Sequence, residues 1–275
     1  MTPLLFASLA LIACAPRHDD TSAPSDTGVD PGPITLPAST FLMGCTDGQS
    51  DCDDDETEHS VTLTHDYYAA ATEVTEAEFE SVMGYNPSAL TDCGADCPVE
   101  TVSWYEAAAY TNAVSAAAGL TGCYACTGAG SDVVCDVAVD PYDCEGYRLL
   151  TEAEWEGAAR CGTDVTYAGS NDVSAVAWTS ANSGGTKHAV GGLDSNACGL
   201  RDLSGNVWEW TGDYYGEYGS APATDPAGPA TGSGRVIRGG GFGGGAADAR
   251  VAERAGRYGE YGYDALGFRL GRTDP

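Results

Sequence analysis

The stretch Gly199-Leu-Arg-Asp-Leu-Ser-Gly-Asn-Val-Trp-Glu-Trp210 contains two tryptophans, two acids, two glycines and an asparagine. Its turn signal, Ser204-Gly205-Asn206, is followed by alternating tryptophans, which predicts a turn leading into a strand. In an extended segment Trp208 and Trp210 point the same way, and Glu209 points to the opposite face. The central glycine permits a tight turn whose backbone carbonyls face inward.

Two interpretations of this stretch follow from its acids, Asp202 and Glu209, which stand on either side of the turn. In the first, the turn leads into a core strand and the acids are solvated. In the second, the carboxylates and turn carbonyls bind Ca²⁺, which takes six to eight oxygen ligands. The residues alone favour the first interpretation, because short acidic turns are common and metal-binding loops are few.

Composition limits the class of protein. The chain has 275 residues, 41 acids against 12 bases and a formal net charge of -29. Such a charge argues against binding nucleic acid, because phosphates repel an acidic surface. With 37 glycines and few long periodic segments, the sequence predicts a loop-rich fold rather than a doubly wound sheet or a helical bundle.

The N-terminus has the features of an export signal. Residues 1–13 contain an apolar run that is too short to span a bilayer and is typical of a signal peptide. The run ends in Leu11-Ile-Ala-Cys14, which resembles a bacterial lipoprotein processing site with Cys14 as the lipidated residue. Residues 14–37 read as a lipidated cysteine and a disordered tether, and residues 38–272 as the folded domain. We therefore expect a cell-envelope lipoprotein, at the outer membrane or surface, attached through its lipid anchor only.

Three capping boxes mark helix starts. They are Thr75-Glu-Ala-Glu78, Ser103-Trp-Tyr-Glu106 and Thr151-Glu-Ala-Glu154. In each, the first side chain and the glutamate three residues later satisfy each other's backbone N–H groups. They predict helices ending at Gly84, Gly119 and Arg160. Strands are predicted at residues 39–44, 61–68, 236–242 and 267–270.

The cysteines indicate an oxidising compartment. Removing Cys14 from the eleven cysteines leaves ten, an even number that favours disulfides. The expected pairs are Cys45–Cys52, Cys93–Cys97 and Cys161–Cys198. Cys123, Cys126, Cys135 and Cys144 form two more pairs of open connectivity. The Cys-x-x-Cys at 123–126 has no second such motif and no nearby histidine, so disulfides are favoured over zinc.

Several short stretches, in order along residues 38–272, resemble the formylglycine-generating enzyme family, also called the sulfatase-modifying-factor domain. They are Phe41-Leu-Met-Gly44, Glu73-Val-Thr75, Pro98-Val-Glu-Thr-Val-Ser-Trp104, Tyr147-Arg-Leu-Leu-Thr-Glu-Ala-Glu-Trp-Glu156, Gly199 to Trp210, Arg238-Gly-Gly240 and Gly267-Phe-Arg-Leu270. The resemblance implies an irregular, loop-rich α+β fold related to C-type lectins.

The resemblance also implies which cofactors to expect. It favours one structural Ca²⁺ bound by the side chains of Asp202 and Glu209 and the carbonyls of Gly205 and Val207. Active members of the family bind copper through two cysteines after the Arg-Gly-Gly strand, but the matching positions here are Gly244 and Ala249. Cu(I) requires thiolate or thioether ligands, so we expect no copper. A related branch binds iron through histidines, and with four histidines and no helical pair we expect no iron.

Two functions of different classes are consistent with these features. The first is a non-catalytic binding or structural module that is stabilised by calcium and disulfides, with an unknown protein or glycan ligand at the cell envelope. The second is a divergent enzyme of the formylglycine-generating family, which oxidises protein cysteines, with a site that uses no cysteine. The missing copper ligands favour the first, because function depends on the site rather than on the fold.

Overall fold

The computed structural model describes residues 34–46 and 49–274. The predicted signal peptide, Cys14 and most of the predicted tether lie outside these residues. The folded domain begins earlier than the predicted boundary at residue 38, because strand β1 (Ile34–Leu36) pairs with residues 67–69. Residues 34–36, which the sequence analysis assigned to the tether, therefore belong to the folded domain.

The three capping boxes each begin a helix at the predicted place. The helices are α1 (Glu76–Met83), α2 (Trp104–Ala117) and α3 (Glu152–Arg160), and both reciprocal hydrogen bonds of each box are present. Gly84 ends α1 in the left-handed conformation, with φ of 80°. A single further turn, α4, covers Val173–Val176.

Fourteen short strands complete the described fold. Besides β1, they are β2 (Ser39–Met43), β3 (His59–Leu63), β4 (Tyr67–Ala69), β5 (Tyr124–Thr127), β6 (Val134–Val137), β7 (Ala177–Trp178), β8 (Ser204–Gly205), β9 (Trp208–Tyr214), β10 (Ala223–Thr224), β11 (Arg235–Arg238), β12 (Arg254–Arg257), β13 (Leu266–Phe268) and β14 (Gly271–Thr273). The single strand predicted over residues 61–68 is wrong. The chain turns after Leu63, and β3 and β4 join different sheets.

The largest sheet has four strands in the order β12-β11-β9-β13. Strand β9, which carries both tryptophans of the 199–210 stretch, is central, antiparallel to β11 and parallel to β13. Two three-stranded sheets have the orders β1-β4-β14 and β10-β3-β2, and two further strand pairs are β5-β6 and β7-β8. The observed architecture is thus mixed α and β with small sheets, as the sequence predicted.

Two apolar clusters form the core. One surrounds Trp104 and Trp210 and includes Phe79 and Phe268, while the other surrounds Trp155 beneath α3. Both indole N–H groups of the first cluster are satisfied, because Trp104 donates to the carbonyl of Thr211 at 2.8 Å and Trp210 to that of Val102 at 2.9 Å. Strand β9 therefore joins α2 to the four-stranded sheet.

Buried ion pairs are unusually numerous. The three glutamates of α3 each contact a buried arginine, in the pairs Glu152–Arg254, Glu154–Arg148 and Glu156–Arg238. Further pairs are Glu56–Arg250 and Glu209–Arg269, and Lys187, the one lysine of the chain, contacts Glu76 and Glu100. Because most basic side chains are buried, largely in these ion pairs, the surface is strongly acidic. Over residues 34–46 and 49–274, Arg257 alone among the basic side chains is exposed.

Five disulfides cross-link the described chain. Three of them, Cys45–Cys52, Cys93–Cys97 and Cys161–Cys198, are the pairs predicted from the sequence. The four cysteines whose connectivity the sequence left open pair as Cys123–Cys144 and Cys126–Cys135. The second of these bridges joins the paired strands β5 and β6. No helix within the described ranges is both long enough and apolar enough to cross a membrane.

Candidate functional site

The turn before β9 has the predicted tight geometry. Asp202, Gly205 and Asn206 have φ values of 59°, 78° and 59°, all in the left-handed region. A Cβ on Gly205 would lie 2.4 Å from the carbonyl oxygen of Trp178, so only glycine fits this position. The Asn206 side chain then accepts from the N–H of His188 at 3.0 Å and fixes the next loop against the turn.

Glu209, a predicted calcium ligand, lies in a buried ion pair. Its Oε1 accepts from Nη2 of Arg269 at 2.6 Å, and its Oε2 accepts from Nε of Arg269 at 2.7 Å. Trp155 Nε1 also donates to Oε2 at 2.8 Å. Glu209 is 0% exposed and Arg269 is 1% exposed, so the pair is fully removed from water.

The two side chains of the calcium site predicted at Asp202, Gly205, Val207 and Glu209 have partners within the protein. Both oxygens of Glu209 accept from Arg269, whose positive charge offsets one of the three carboxylates, Glu73, Asp202 and Glu209, that lie together here. The other predicted side-chain ligand, Asp202, accepts from the backbone N–H of Gly191 at 2.6 Å. One predicted ligand, Glu209, thus pairs with an arginine that lies 60 residues away along the chain, and the calcium site itself stays a prediction.

Asp202 belongs instead to a buried acidic pair with Glu73. Burial, followed by the charges of Asp202 and Glu209, raises the pKa of Glu73 well above its usual range. Burial also raises the pKa of Asp202. Neither carboxylate oxygen of Glu73 has a hydrogen-bond partner in the described part of the chain. Burial and the two neighbouring carboxylates therefore favour the neutral form of Glu73 over its charged form.

The positions that match the copper cysteines of the family follow β11, where Gly239 and Gly240 have φ of 92° and 75°. Gly244 lies on the wall of a surface cleft, and a Cβ there would meet Asp248 Oδ2 at 2.6 Å. Ala249 is buried, and its carbonyl accepts from the Ser204 hydroxyl at 2.8 Å. Neither residue carries a side-chain atom that can bind a metal.

Thiolates from elsewhere in the described chain do not replace the missing ones. Each cysteine from Cys45 to Cys198 is half of a disulfide. A disulfide sulfur is not the thiolate that a soft metal such as Cu(I) requires. The residues around Gly244 and Ala249 therefore do not fit the copper centre of the family.

The cleft beside Gly244 remains, with a volume of about 490 Å³. It lies between the glycine-rich turn after β11 and the loop between β12 and β13. Its lining combines backbone, aromatic and charged groups, which are Trp208, Gly241, Gly243, Gly244, Arg257, Tyr263 and Asp264. This volume is within the range of cavities that bind small molecules.

Exposed tyrosines lie next to this cleft. Tyr258 and Tyr261 are 56% and 57% exposed, and their rings meet edge to face at a centroid distance of 6.5 Å. Tyr261 makes the same kind of contact with Tyr263, which lines the cleft. Arg257 lies 5.9 Å from the ring centroid of Tyr263. The aromatic surface therefore continues from the cleft into solvent.

The sequence analysis missed these tyrosines. The signal that could have found them is Arg257-Tyr-Gly-Glu-Tyr-Gly-Tyr263, where aromatic residues alternate with glycine and charge. Large exposed aromatic side chains in a loop have no packing role and mark contact surfaces.

Comparison with known proteins agrees with this architecture. The sequence profile of the sulfatase-modifying factor enzyme 1-like domain matches residues 20–273. Among solved structures, variable protein 1 of Treponema denticola superposes with a TM-score of 0.78 and 33% identity, over 88% of this chain and 95% of that protein.

Curated relatives cover less of their own length. The chain is 34% identical to the chaperone protein LppX of Paenibacillus barcinonensis over 57% of this chain and 65% of that protein. It is 38% identical to the formylglycine-generating enzyme of Streptomyces coelicolor over 35% of this chain and 36% of the enzyme. The chain thus matches about two thirds of one and a third of the other. From its ordered motifs, its fold and the match over residues 20–273, the chain belongs to the sulfatase-modifying factor enzyme 1-like domain family.

Proposed function

We propose that this chain is a non-catalytic binding module of its family and that its ligand occupies the cleft beside Gly244. The observation that carries the proposal is the cleft itself. Where active relatives need cysteines, this chain has Gly244 and the buried Ala249, while tyrosines, Arg257 and Asp264 surround an open volume of about 490 Å³. Catalytic ligands are absent from these positions, and groups suited to recognition are present.

The ligand is an envelope protein or glycan that offers a flat apolar face and polar groups. The rings of Tyr258 and Tyr261 are exposed, which suits stacking on a sugar ring or an apolar side chain. Arg257 supplies a positive charge on an otherwise acidic surface, and Asp264 supplies an acceptor. A protein ligand is also consistent with the chaperone name of the Paenibacillus relative.

Array binding tests this proposal. Wild type and a Tyr258→Ser/Tyr261→Ser variant are compared on glycan and envelope-protein arrays, with Leu42→Ser as the control because Leu42 is 48% exposed on β2, outside the cleft lining. Stacking aromatic groups contribute about 0.5–1.5 kcal/mol beyond the area they bury, so the double variant should bind at least tenfold more weakly. Equal binding by all three proteins would show that the ligand does not bind at the cleft.

An activity assay separates the binding module from the alternative enzyme. A sulfatase-type cysteine peptide is incubated with the purified protein, copper and oxygen, and aldehyde formation is followed by mass spectrometry. We expect no aldehyde above the background of protein-free samples. Copper-dependent turnover would instead support a divergent cysteine-oxidising enzyme whose site uses no cysteine.

We further propose that the module is displayed at the cell envelope through a lipid on Cys14. Five disulfides support this placement, because they persist only in an oxidising compartment. Mass spectrometry of the mature N-terminus should find a lipidated cysteine. A mature terminus at another residue, without lipid, would reject the anchor.

A further inference from the structure

Strand β9 leads from the cleft to a second region of empty volume. Trp208 lines the cleft at one end of β9, while Asp213 and Tyr214 lie at the other. At about 3.3 Å per residue, Trp208 and Asp213 are ~17 Å apart. Two cavities, of about 330 Å³ and 460 Å³, adjoin there and share Asp213, Tyr214 and residues 227–229.

Asp213 is a buried acid with no basic partner. Its side chain is 4% exposed, yet no arginine or lysine of the described chain lies within 4 Å of its carboxylate. This contrasts with Glu152 and Glu154, which are both paired with arginines. Burial, followed by the charge of Glu152, raises the pKa of Asp213 well above its usual range.

Arg235 is the complementary case, a buried base with no acidic partner in the described ranges. Its guanidinium lies between the rings of Trp104 and Tyr214, at 3.8 Å and 3.5 Å from their centroids. It donates to the carbonyl of Gly212 at 2.7 Å. A guanidinium has five N–H donors, so further donors remain for another acceptor.

Asp213 and Arg235 line the same cavity without forming an ion pair with each other. Both belong to the wall of the 460 Å³ cavity, where each is 4% exposed. The rest of the wall combines apolar residues, among them Val137, Val139 and Pro229, with charged ones, which are Asp136, Asp140 and Arg148. Cavities of this size that combine apolar side chains with a few polar groups are typical of small-molecule sites.

We propose that this cavity binds a small zwitterion of the α-amino acid class, with its ammonium group at Asp213 and its carboxylate at Arg235. A simple cation would satisfy Asp213 but would leave Arg235 buried without a counter-charge. A simple anion would do the reverse. A ligand with both charges on neighbouring atoms satisfies both residues at once, and its side chain then faces Val137, Val139 and Pro229.

Thermal melting of the wild-type protein with each common L-α-amino acid tests the proposal. At least one amino acid with an apolar side chain should raise the melting temperature in a concentration-dependent way. The amide of that amino acid lacks the carboxylate and its N-acetyl form lacks the ammonium group, so both should bind at least tenfold more weakly. Equal stabilisation by the amide or by the N-acetyl form would overturn the zwitterion site, as would the absence of any shift across the panel.

Matched variants then locate the site. Asp213→Asn keeps the shape of the side chain and should weaken binding of the amino acid at least tenfold by calorimetry. Asp92→Asn is the control, because Asp92 is exposed and does not line this cavity. Loss of affinity in both variants alike, or in neither, would place the ligand elsewhere.

Discussion

Glu209→Gln separates the two explanations for the acids beside the central turn. The substitution keeps the shape of the side chain but removes the charge that faces Arg269, and it places an amide among donors. The wild-type carboxylate accepts three hydrogen bonds, two from Arg269 and one from Trp155, and it is 0% exposed. The variant leaves Arg269 buried without its partner.

Breaking a buried pair by removing one member typically costs about 3–5 kcal/mol. Two features of the cluster place the cost of Glu209→Gln near the lower end of this range. Arg269 retains acceptors in the carbonyls of Ala70, at 3.0 Å, and Arg201, at 2.9 Å. Glu73 adjoins the same cluster, and its ionisation can replace the lost charge. We therefore expect a loss of ~3 kcal/mol, which corresponds to a fall in melting temperature of roughly 6–12 °C for a domain of this size.

The assay is thermal and urea unfolding of wild type, Glu209→Gln and the exposed control Glu217→Gln, each with and without chelator. The control should melt like wild type. We expect chelator to change none of the three curves, because Arg269 already supplies a counter-charge to Glu209. The reasoning is refuted if chelator lowers the wild-type melting temperature as much as the substitution does and has no further effect on the variant.

Three further outcomes are expected. The raised pKa of Glu73 means that the folded state keeps a proton which the unfolded chain releases above pH ~4.3, so stability falls as pH rises from there through the folded pKa. Glu73→Gln should remove that decline and melt higher than wild type at pH 8, and identical pH profiles of melting would contradict it. Replacing Cys123 and Cys144 by alanine opens a bridge of sequence separation 21 and should cost about 3 kcal/mol in urea unfolding, whereas an unchanged midpoint would show that the bridge contributes little. Gly205→Ala forces a Cβ to 2.4 Å from a backbone carbonyl at φ of 78° and should cost roughly 2 kcal/mol or more, while Gly243→Ala, with nothing within 4 Å, should unfold like wild type.

The accurate predictions from the sequence concern local features. Helix α3 begins at Glu152 because Thr151 and Glu154 satisfy each other's N–H groups within four residues, which requires no distant partner. Cys45 and Cys52 are separated by 7 positions along the chain, so their disulfide also depends on nearby sequence only. The family motifs also predicted the fold, because their order along the chain is itself a sequence property.

The strand prediction that failed depended on distant partners. Residues 61–68 have the alternation of one strand, but the chain turns after Leu63 because β3 and β4 join different sheets. The calcium site at Asp202 and Glu209, which the family resemblance implied, stays a prediction, but no local pattern shows that Glu209 pairs with Arg269.

The sequence by itself determined the helix starts, the short disulfides, the missing copper ligands and the family. Only the tertiary structure decided that Arg269 neutralises Glu209, that Tyr258 and Tyr261 extend an open cleft, and that Asp213 and Arg235 face one cavity unpaired. The physical reason is that charge and burial depend on which side chains meet in space. Residues 60 positions apart are brought together by the packing of β9 and β13, and no local pattern records that contact.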